Sequence, residues 1–193
     1  VAHKDIEIII VDVDGIGKEA LEAAYPDLAV RWVLTSEKNP YSARNQGISN
    51  AKSEHILLLD AKCIPQADYV SAALARLRRD AGIVTGPYHV VPRSDKIKDQ
   101  VYGIFHLHSE RNIEKAYGIT GGNLGFSKQT FEDVGPFETS HVSGMDIAWS
   151  KRALSQGYQI EYIPDMKVSY PGQPWTTFVD TTKKYQILIT GLL

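Results

Sequence analysis

Along this chain the apolar residues arrive in two rhythms. Ile6–Val11 is an aliphatic run broken only by Glu7, and Val30–Leu34 and His55–Leu59 are further short, mostly apolar runs. Runs of that length are too brief for helices and fit strands buried on both faces. Lys18–Ala24 reads as a short helix between the first two. Over Gln66–Arg79, Val70, Ala73, Leu74 and Leu77 share one helical face. Gly82–Val91 reads as another strand. Asp95–Glu114 carries Ile97, Val101, Ile104, Phe105 and His108 at helical spacing and predicts a long amphipathic helix. Short strands near Asn123 and over Tyr158–Ile163 flank a helix that begins near Met145. Pro171-Gly172-Gln173-Pro174 then breaks the chain before a last helical segment. Strands alternating with helices predict an α/β fold with a mainly parallel sheet flanked by helices. No repeat, low-complexity tract or linker divides the 193 residues, so one domain over 1–193 is expected.

The stretch Asn39–Pro65 carries the most information. Asn39-Pro40 punctuates the chain, because proline fixes its own φ and pushes its neighbour out of the helical region. Ala43, Ile48 and Ala51 supply a thin apolar stripe on a helix of about three turns. The strand His55–Leu59 follows and ends on Asp60. Open α/β sheets bind ligands at the carboxyl edge of their strands. A carboxylate at that edge is therefore a candidate functional group.

Composition narrows the reading only a little. The 43% hydrophobic and 23% charged content is ordinary globular usage, in a chain long enough for a sizeable core. A net charge of −2 and a pI near 6.3 give no basic footprint, so no nucleic-acid partner is expected. The single cysteine, Cys63, excludes an internal disulfide framework and cysteine-rich zinc sites, and it fits a reducing, cytoplasmic compartment. No signal-peptide pattern is read before the first strand, and no apolar run approaches the ~20 residues that span a bilayer.

Several motifs recur in a recognisable order. Ala43-Arg44-Asn45-Gln46-Gly47-Ile48 precedes the apolar strand, and Leu57-Leu58-Leu59-Asp60-Ala61-Lys62 closes it. Downstream come Gly121-Gly122-Asn123-Leu124-Gly125-Phe126, Val134-Gly135-Pro136-Phe137-Glu138, Met145-Asp146, Arg152, and the stretch Tyr158–Asp165. Together these resemble the family 2 glycosyltransferases of the GT-A fold, over nearly the whole chain. In that family an Ala-Arg-Asn-x-Gly-Ile helix leads into a strand ending in Asp-x-Asp, followed by Gly-Gly-Asn, Val-Gly-Gly-Phe and Glu-Asp stretches. The resemblance implies a GT-A-like single domain with a Rossmann-like sheet. Three departures stand out. The strand–helix unit that usually opens the family is not read in this sequence, as expected of a fragment or of a trimmed or minimal form, Lys62 replaces the last acid of Asp-x-Asp, and Tyr170 falls where many relatives carry a metal-binding histidine.

Each candidate residue also has a plainer reading. The resemblance puts Asp12 and Asp14 near the nucleotide, where a carboxylate can accept from an imide or ribose hydroxyl; Asp14-Gly15 equally suits a turn. Arg44, in the first turn of its helix, suits a diphosphate, or a surface pairing with Glu37 or Glu54. Asp60 is a weak candidate metal ligand or ribose contact. Lys62 cannot ligate a cation while protonated and suits direct neutralisation of the diphosphate, or plain solvation. Gly122 and Asn123 suit close approach to the donor sugar, or a strand-entry turn. Asp146 is the candidate general base; its plain reading is a carboxylate favoured at a helix N-terminus. Trp149 suits stacking on an acceptor sugar, or core packing. His106 and His108 read as structural or surface residues.

The reading that results is an inverting glycosyltransferase, moving a sugar from a nucleotide sugar to a saccharide or lipid-linked acceptor. It admits a divalent metal, manganese or magnesium, without requiring one. A second reading is a degenerate domain that binds nucleotide or glycan without turnover. A third is a nucleotidyltransferase, for which Asp14-Gly15-Ile16-Gly17-Lys18 is a faint phosphate loop. The end of the chain, Pro174–Leu193, mixes Trp175, Phe178 and Tyr185 with Lys183 and Lys184 before an apolar run from Ile187. It suits peripheral contact with the inner face of a membrane, a terminal helix packed on the domain, or an oligomer contact.

Overall fold

The computed structural model describes residues 6–28, 30–79, 82–92, 94–96, 110, 113 and 118–171. His106, His108 and the segment Pro174–Leu193 lie outside the described residues, as does most of the helix expected over 95–114. Glu110 and Ile113 are helical, and Ile113 packs on the core.

Strand β1 (Ile8–Asp12), helix α1 (Lys18–Ala24) and strand β2 (Val30–Leu34) form the first unit, with β1 and β2 paired in parallel from Ile8 opposite Val30 to Asp12 opposite Leu34. Helix α2 (Pro40–Asn50) begins where Asn39-Pro40 predicts. Proline, which needs no amide partner, takes the first helical position, and the Asn39 side-chain oxygen accepts from the Tyr41 and Ser42 amides at 2.8 and 3.3 Å. Then follow β3 (His55–Leu59), β4 (Ile64–Pro65), α3 (Tyr69–Leu77), β5 (Ile83–Thr85), β6 (Tyr88–Val91), β7 (Asn123–Ser127), α4 (Lys128–Val134), α5 (Met145–Ser155), β8 (Ile160–Tyr162) and β9 (Val168–Pro171).

The sheet is mixed rather than mainly parallel. The central sheet runs β3-β7-β5-β8, with β7 antiparallel to both neighbours and β5 parallel to β8. A smaller sheet runs β4-β9-β6, antiparallel then parallel. An apolar run reports burial on both faces and is silent about strand direction, which is why the sequence pattern misjudged this point. The single strand expected over Gly82–Val91 is two, in different sheets. The chain breaks at Gly86-Pro87, where a Cβ on Gly86 would lie 2.0 Å from the Met166 carbonyl oxygen.

Side chains alternate across the central sheet. Ile56 and Ile83 join one apolar cluster with α2, α4 and α5, while Val84 and Leu57 join another with α3 and the small sheet. Phe126, Phe131, Phe137 and Trp149 form the aromatic centre of the first cluster, with Trp149 ring centroids 5.1 Å from Phe126 and 5.0 Å from Phe137. Trp149 is 1% exposed and its indole N–H donates to the Gly135 carbonyl at 2.8 Å. It therefore offers no face to an acceptor sugar, and the expectation of a stacking role is corrected. The three phenylalanines that enclose it are 12 to 23 residues away in sequence, so helical periodicity around Met145 gave no sign of them.

Trp149→Ala is expected to lower unfolding free energy by about 3–5 kcal/mol, the usual cost of emptying a buried aromatic site. Urea denaturation followed by circular dichroism reads this directly. A loss below about 1 kcal/mol would show that the ring is not a core element.

Candidate functional site

The register of β3 against β7 builds the first half of the site. Leu59 pairs with Asn123, and the Asp60 amide donates to the Gly122 carbonyl at 3.3 Å, so the acid at the end of β3 lies beside the Gly121-Gly122 turn. Its Oδ1 accepts from Arg44 Nη2 at 3.0 Å, with the two side chains 36% and 15% exposed. The glycines make this pairing sterically feasible. A Cβ on Gly121 would lie 2.9 Å from Arg44 Cζ, and one on Gly122 would lie 2.8 Å from Asp60 Oδ2. Two residues beyond Asp60, the Lys62 ammonium sits over the Tyr170 ring, 4.8 Å from its centroid. Tyr170 in turn meets Tyr88 edge-on, and Tyr88 shares a 3.0 Å hydrogen bond with Thr120. The carboxylate at the carboxyl edge of β3 is thus paired with one cation, Arg44, and a second, Lys62, lies two residues along the chain.

The second half is Asp146, in the first turn of α5 just after Gly144, whose φ is +83°. The residue is buried, at 8% exposure. Its Oδ1 accepts from the Tyr41 hydroxyl at 3.2 Å and from the Ile147 amide at 3.0 Å, and its Oδ2 accepts from the Gly121 amide at 2.7 Å. Burial, and next the Asp146 charge, push the Tyr41 phenol up to about 12, so it stays protonated and donates across the neutral range. The loop ahead of Asp146 is tied to α2. Asn45 donates to the Phe137 carbonyl at 2.7 Å and accepts from its amide at 3.0 Å, while Asn39 donates to the carbonyls of Thr139 and His141. Arg152 closes the other side, donating to the carbonyls of Gly135 and Pro136.

The structure therefore brings Arg44, Asp60, Gly122 and Asp146 together, with Lys62 at the rim. Arg44 pairs with Asp60 and not with Glu37 or Glu54. Asn123 does not face this site. Its side chain is fully buried and its Nδ2 donates to the Met166 carbonyl at 3.0 Å, so the expectation that it reaches a sugar is corrected. Alternation along β7 turns it into the core. Asp12 bonds its own loop, accepting from the Val13 and Gly15 amides, and Asp14 accepts from the Ile16 amide. Both carboxylates fit the turn reading. Tyr41, Asn39 and the clamping role of Asn45 escaped the sequence reading. Asn45 lies inside the quoted motif, but nothing local reveals a partner 92 residues away.

Hard divalent cations take several oxygen ligands. Among the described residues no three His, Cys, Asp or Glu side chains converge. Asp60 is already engaged by a guanidinium, with an ammonium two residues on. This donor set does not fit a metal held by the protein's own side chains.

With that geometry in hand, the comparisons with known proteins are specific. A family profile described as Glycosyl transferase family 2 matches residues 2–135. The glycosyltransferase AglE of Haloferax volcanii is 25% identical over 176 residues, covering 88% of this chain and 58% of that protein. The mannosyltransferase PcManGT from Pyrobaculum calidifontis, solved in complex with GDP-Man and Mn2+, matches with a TM-score of 0.69 at 21% identity, over 97% of this chain and 54% of that one. GalNAc-T7, solved with UDP, GalNAc and Mn2+, matches with a TM-score of 0.66 at 14% identity, over 86% of this chain and 38% of that one. The chain thus spans a little over half the length of AglE and of PcManGT. At these identities the structural likeness establishes a shared fold.

Cys63 is buried beside this edge, and burial, with the Asp60 charge second, pushes its thiol up to about 11. At pH 8 only about one thiol in a thousand is then the reactive thiolate. Because the folded state holds this proton more tightly, its contribution to stability is full below the unfolded pKa of ~8.5 and is lost as pH rises toward 11. Labelling with a chromogenic disulfide at pH 8 should be slow in buffer and fast in urea. Rapid labelling of the native protein would show that the thiol is not shielded.

Proposed function

This chain belongs to the family 2 glycosyltransferases, and from that membership we propose that it transfers a sugar from a nucleotide-sugar donor to a saccharide or lipid-linked acceptor, with inversion at the anomeric carbon. The observation that carries the reading is the meeting of the Arg44–Asp60 ion pair, with Lys62 two residues on, and the buried carboxylate of Asp146 across the Gly121-Gly122 turn. As the bond from the anomeric carbon to the diphosphate breaks, its electron pair leaves on the phosphate oxygen. Arg44 and Lys62 donate to that developing charge. The acceptor oxygen attacks from the opposite face and Asp146 takes its proton. Asp60 holds Arg44 in place and offers its remaining lone pairs to a ribose hydroxyl.

On this reading the donor's charge is met by side chains and binding does not require a divalent metal. PcManGT and GalNAc-T7 were each solved with Mn2+, so metal is the alternative to test. Two features favour the cations. Lys62 and Tyr170 stand where the family pattern has an acid and often a histidine, and they contact each other. A lysine packed on a tyrosine at those positions removes two ligands and supplies a charge in their place. The same replacement supports the second reading, a domain that binds nucleotide without turnover.

Calorimetric titration of UDP and GDP, first in EDTA and then with Mn2+, should give affinities within about threefold of each other. A gain beyond about tenfold, or 1.4 kcal/mol, would overturn the metal-independent reading. Lys62→Asp should create metal dependence in the same titration.

Asp146→Asn should lower transfer by about 10²–10⁴, the range for losing a general base, while UDP and GDP affinities stay unchanged. Undiminished turnover would mean that another group takes the proton. A wild-type protein that binds nucleotide yet transfers nothing from a panel of UDP- and GDP-sugars would establish the binding-domain reading instead.

A further inference from the structure

Tyr41 touches both halves of the site. It is almost wholly buried, its hydroxyl donates to Asp146 Oδ1, and its ring lies 5.2 Å below the Arg44 guanidinium carbon. Tyr41 and Arg44 are three residues apart on α2, close neighbours on one helix face. The ring also packs on Phe137, at 6.3 Å between centroids, so it cannot swing without disturbing the aromatic core. The charged groups that face it are Arg44 on its own helix and Asp146 on α5.

The lone pairs of Asp146 are unequally occupied. Oδ1 accepts two hydrogen bonds, from Tyr41 and from the Ile147 amide, and has no acceptor position left. Among the described residues Oδ2 accepts one, from the Gly121 amide, and keeps one position open to them. Gly121 is also the residue whose Cα faces the Arg44 guanidinium. The open lone pair is thus on the oxygen bonded to the turn that lines the donor side.

We propose that Tyr41 is a positioning residue, which saturates Asp146 Oδ1 and so makes Oδ2 the oxygen that takes the acceptor's proton, while its ring holds Arg44 for the donor. The inference rests on the transferase reading above. It assigns Tyr41 no contact with substrate. It predicts that one side chain sets donor affinity and proton transfer through separable parts, the ring for the first and the hydroxyl for the second.

The test compares wild type, Tyr41→Phe and Tyr41→Leu, using calorimetry with UDP and GDP and steady-state kinetics with UDP- and GDP-sugars. Tyr41→Phe should lower kcat by about 10-fold or more, as expected for losing a hydrogen bond to a charged group. Its donor KM and its UDP and GDP affinities should remain within about twofold. The acidic limb of its pH–rate profile should move to higher pH, because a carboxylate that loses a donor holds its proton more firmly. Tyr41→Leu should weaken nucleotide binding as well. A Tyr41→Phe protein with wild-type kcat and an unmoved acidic limb overturns the proposal while leaving the transferase reading intact. Parallel losses of kcat, nucleotide affinity and melting temperature in Tyr41→Phe, with the limb unmoved, would show a merely structural role and overturn it too. A wild-type protein that neither binds these nucleotides nor turns over their sugars overturns the transferase reading itself.

Discussion

Everything at this site hangs on the polar face of one helix. Helix α2 buries only Tyr41, Ser42 and Ile48, too little apolar surface to anchor it by the hydrophobic effect alone. Its side chains instead reach outward. Arg44 bonds Asp60, 16 residues on, Asn45 brackets the Phe137 peptide, Asn39 holds the carbonyls of Thr139 and His141, and Tyr41 reaches Asp146, 105 residues on. Gln46 adds a bond to the Thr35 hydroxyl at the end of β2. A typical bond of this kind contributes about 0.5–1.5 kcal/mol net, but leaving a buried partner unpaired costs about 1–3 kcal/mol. The helix is therefore specified by its partners. Displacing it would leave the loop before Asp146 and the end of β3 unpaired together.

Strand direction is the second constraint, and it has a functional consequence. Because β7 runs antiparallel to β3, it starts at the edge where β3 stops. That is why Gly121 and Gly122, which lead into β7, lie beside Asp60, which follows β3. A parallel β7 would have put its entry turn at the opposite end of the sheet, some five residues and about 17 Å away. The Gly121 amide could not then reach Asp146. The mixed sheet is what joins the cationic edge to the buried carboxylate.

Local signals explain what was legible in the sequence. The bounds of α1, β2 and β3 follow from short runs with clear punctuation, and Asn39-Pro40 marked the start of α2 through proline geometry. Asp60 at a strand's carboxyl edge was likewise readable, because the length of the apolar run specifies where β3 ends. What escaped was set by distant partners. Gly86-Pro87 splits a strand because the Met166 carbonyl occupies the space a side chain would need. Asn123 looked like a sugar ligand because it follows two glycines, yet alternation along β7 and the Met166 carbonyl draw it inward. Tyr41 carried no motif at all, and its importance comes from a carboxylate on a helix that the sequence read only as a candidate base.

Arg44 and Lys62 differ in how firmly they are held, and this suits them to different parts in the proposed reaction. Arg44 is largely buried, bonded to Asp60 at 3.0 Å and seated on the Tyr41 ring, so three restraints fix its guanidinium before any donor arrives. Lys62 is exposed and rests on the Tyr170 ring alone among these groups. A cation over an aromatic ring at an exposed site is worth about 0.5–1 kcal/mol. A charge-assisted bond from an ammonium to a phosphate oxygen is worth about 1.5–3 kcal/mol. The ammonium therefore gains by leaving the ring once a diphosphate is within reach, whereas moving Arg44 would strand a half-buried carboxylate. In the proposed reaction Arg44 would supply the preorganised charge and Lys62 the charge that follows the leaving group, with Tyr170 the place where that charge waits.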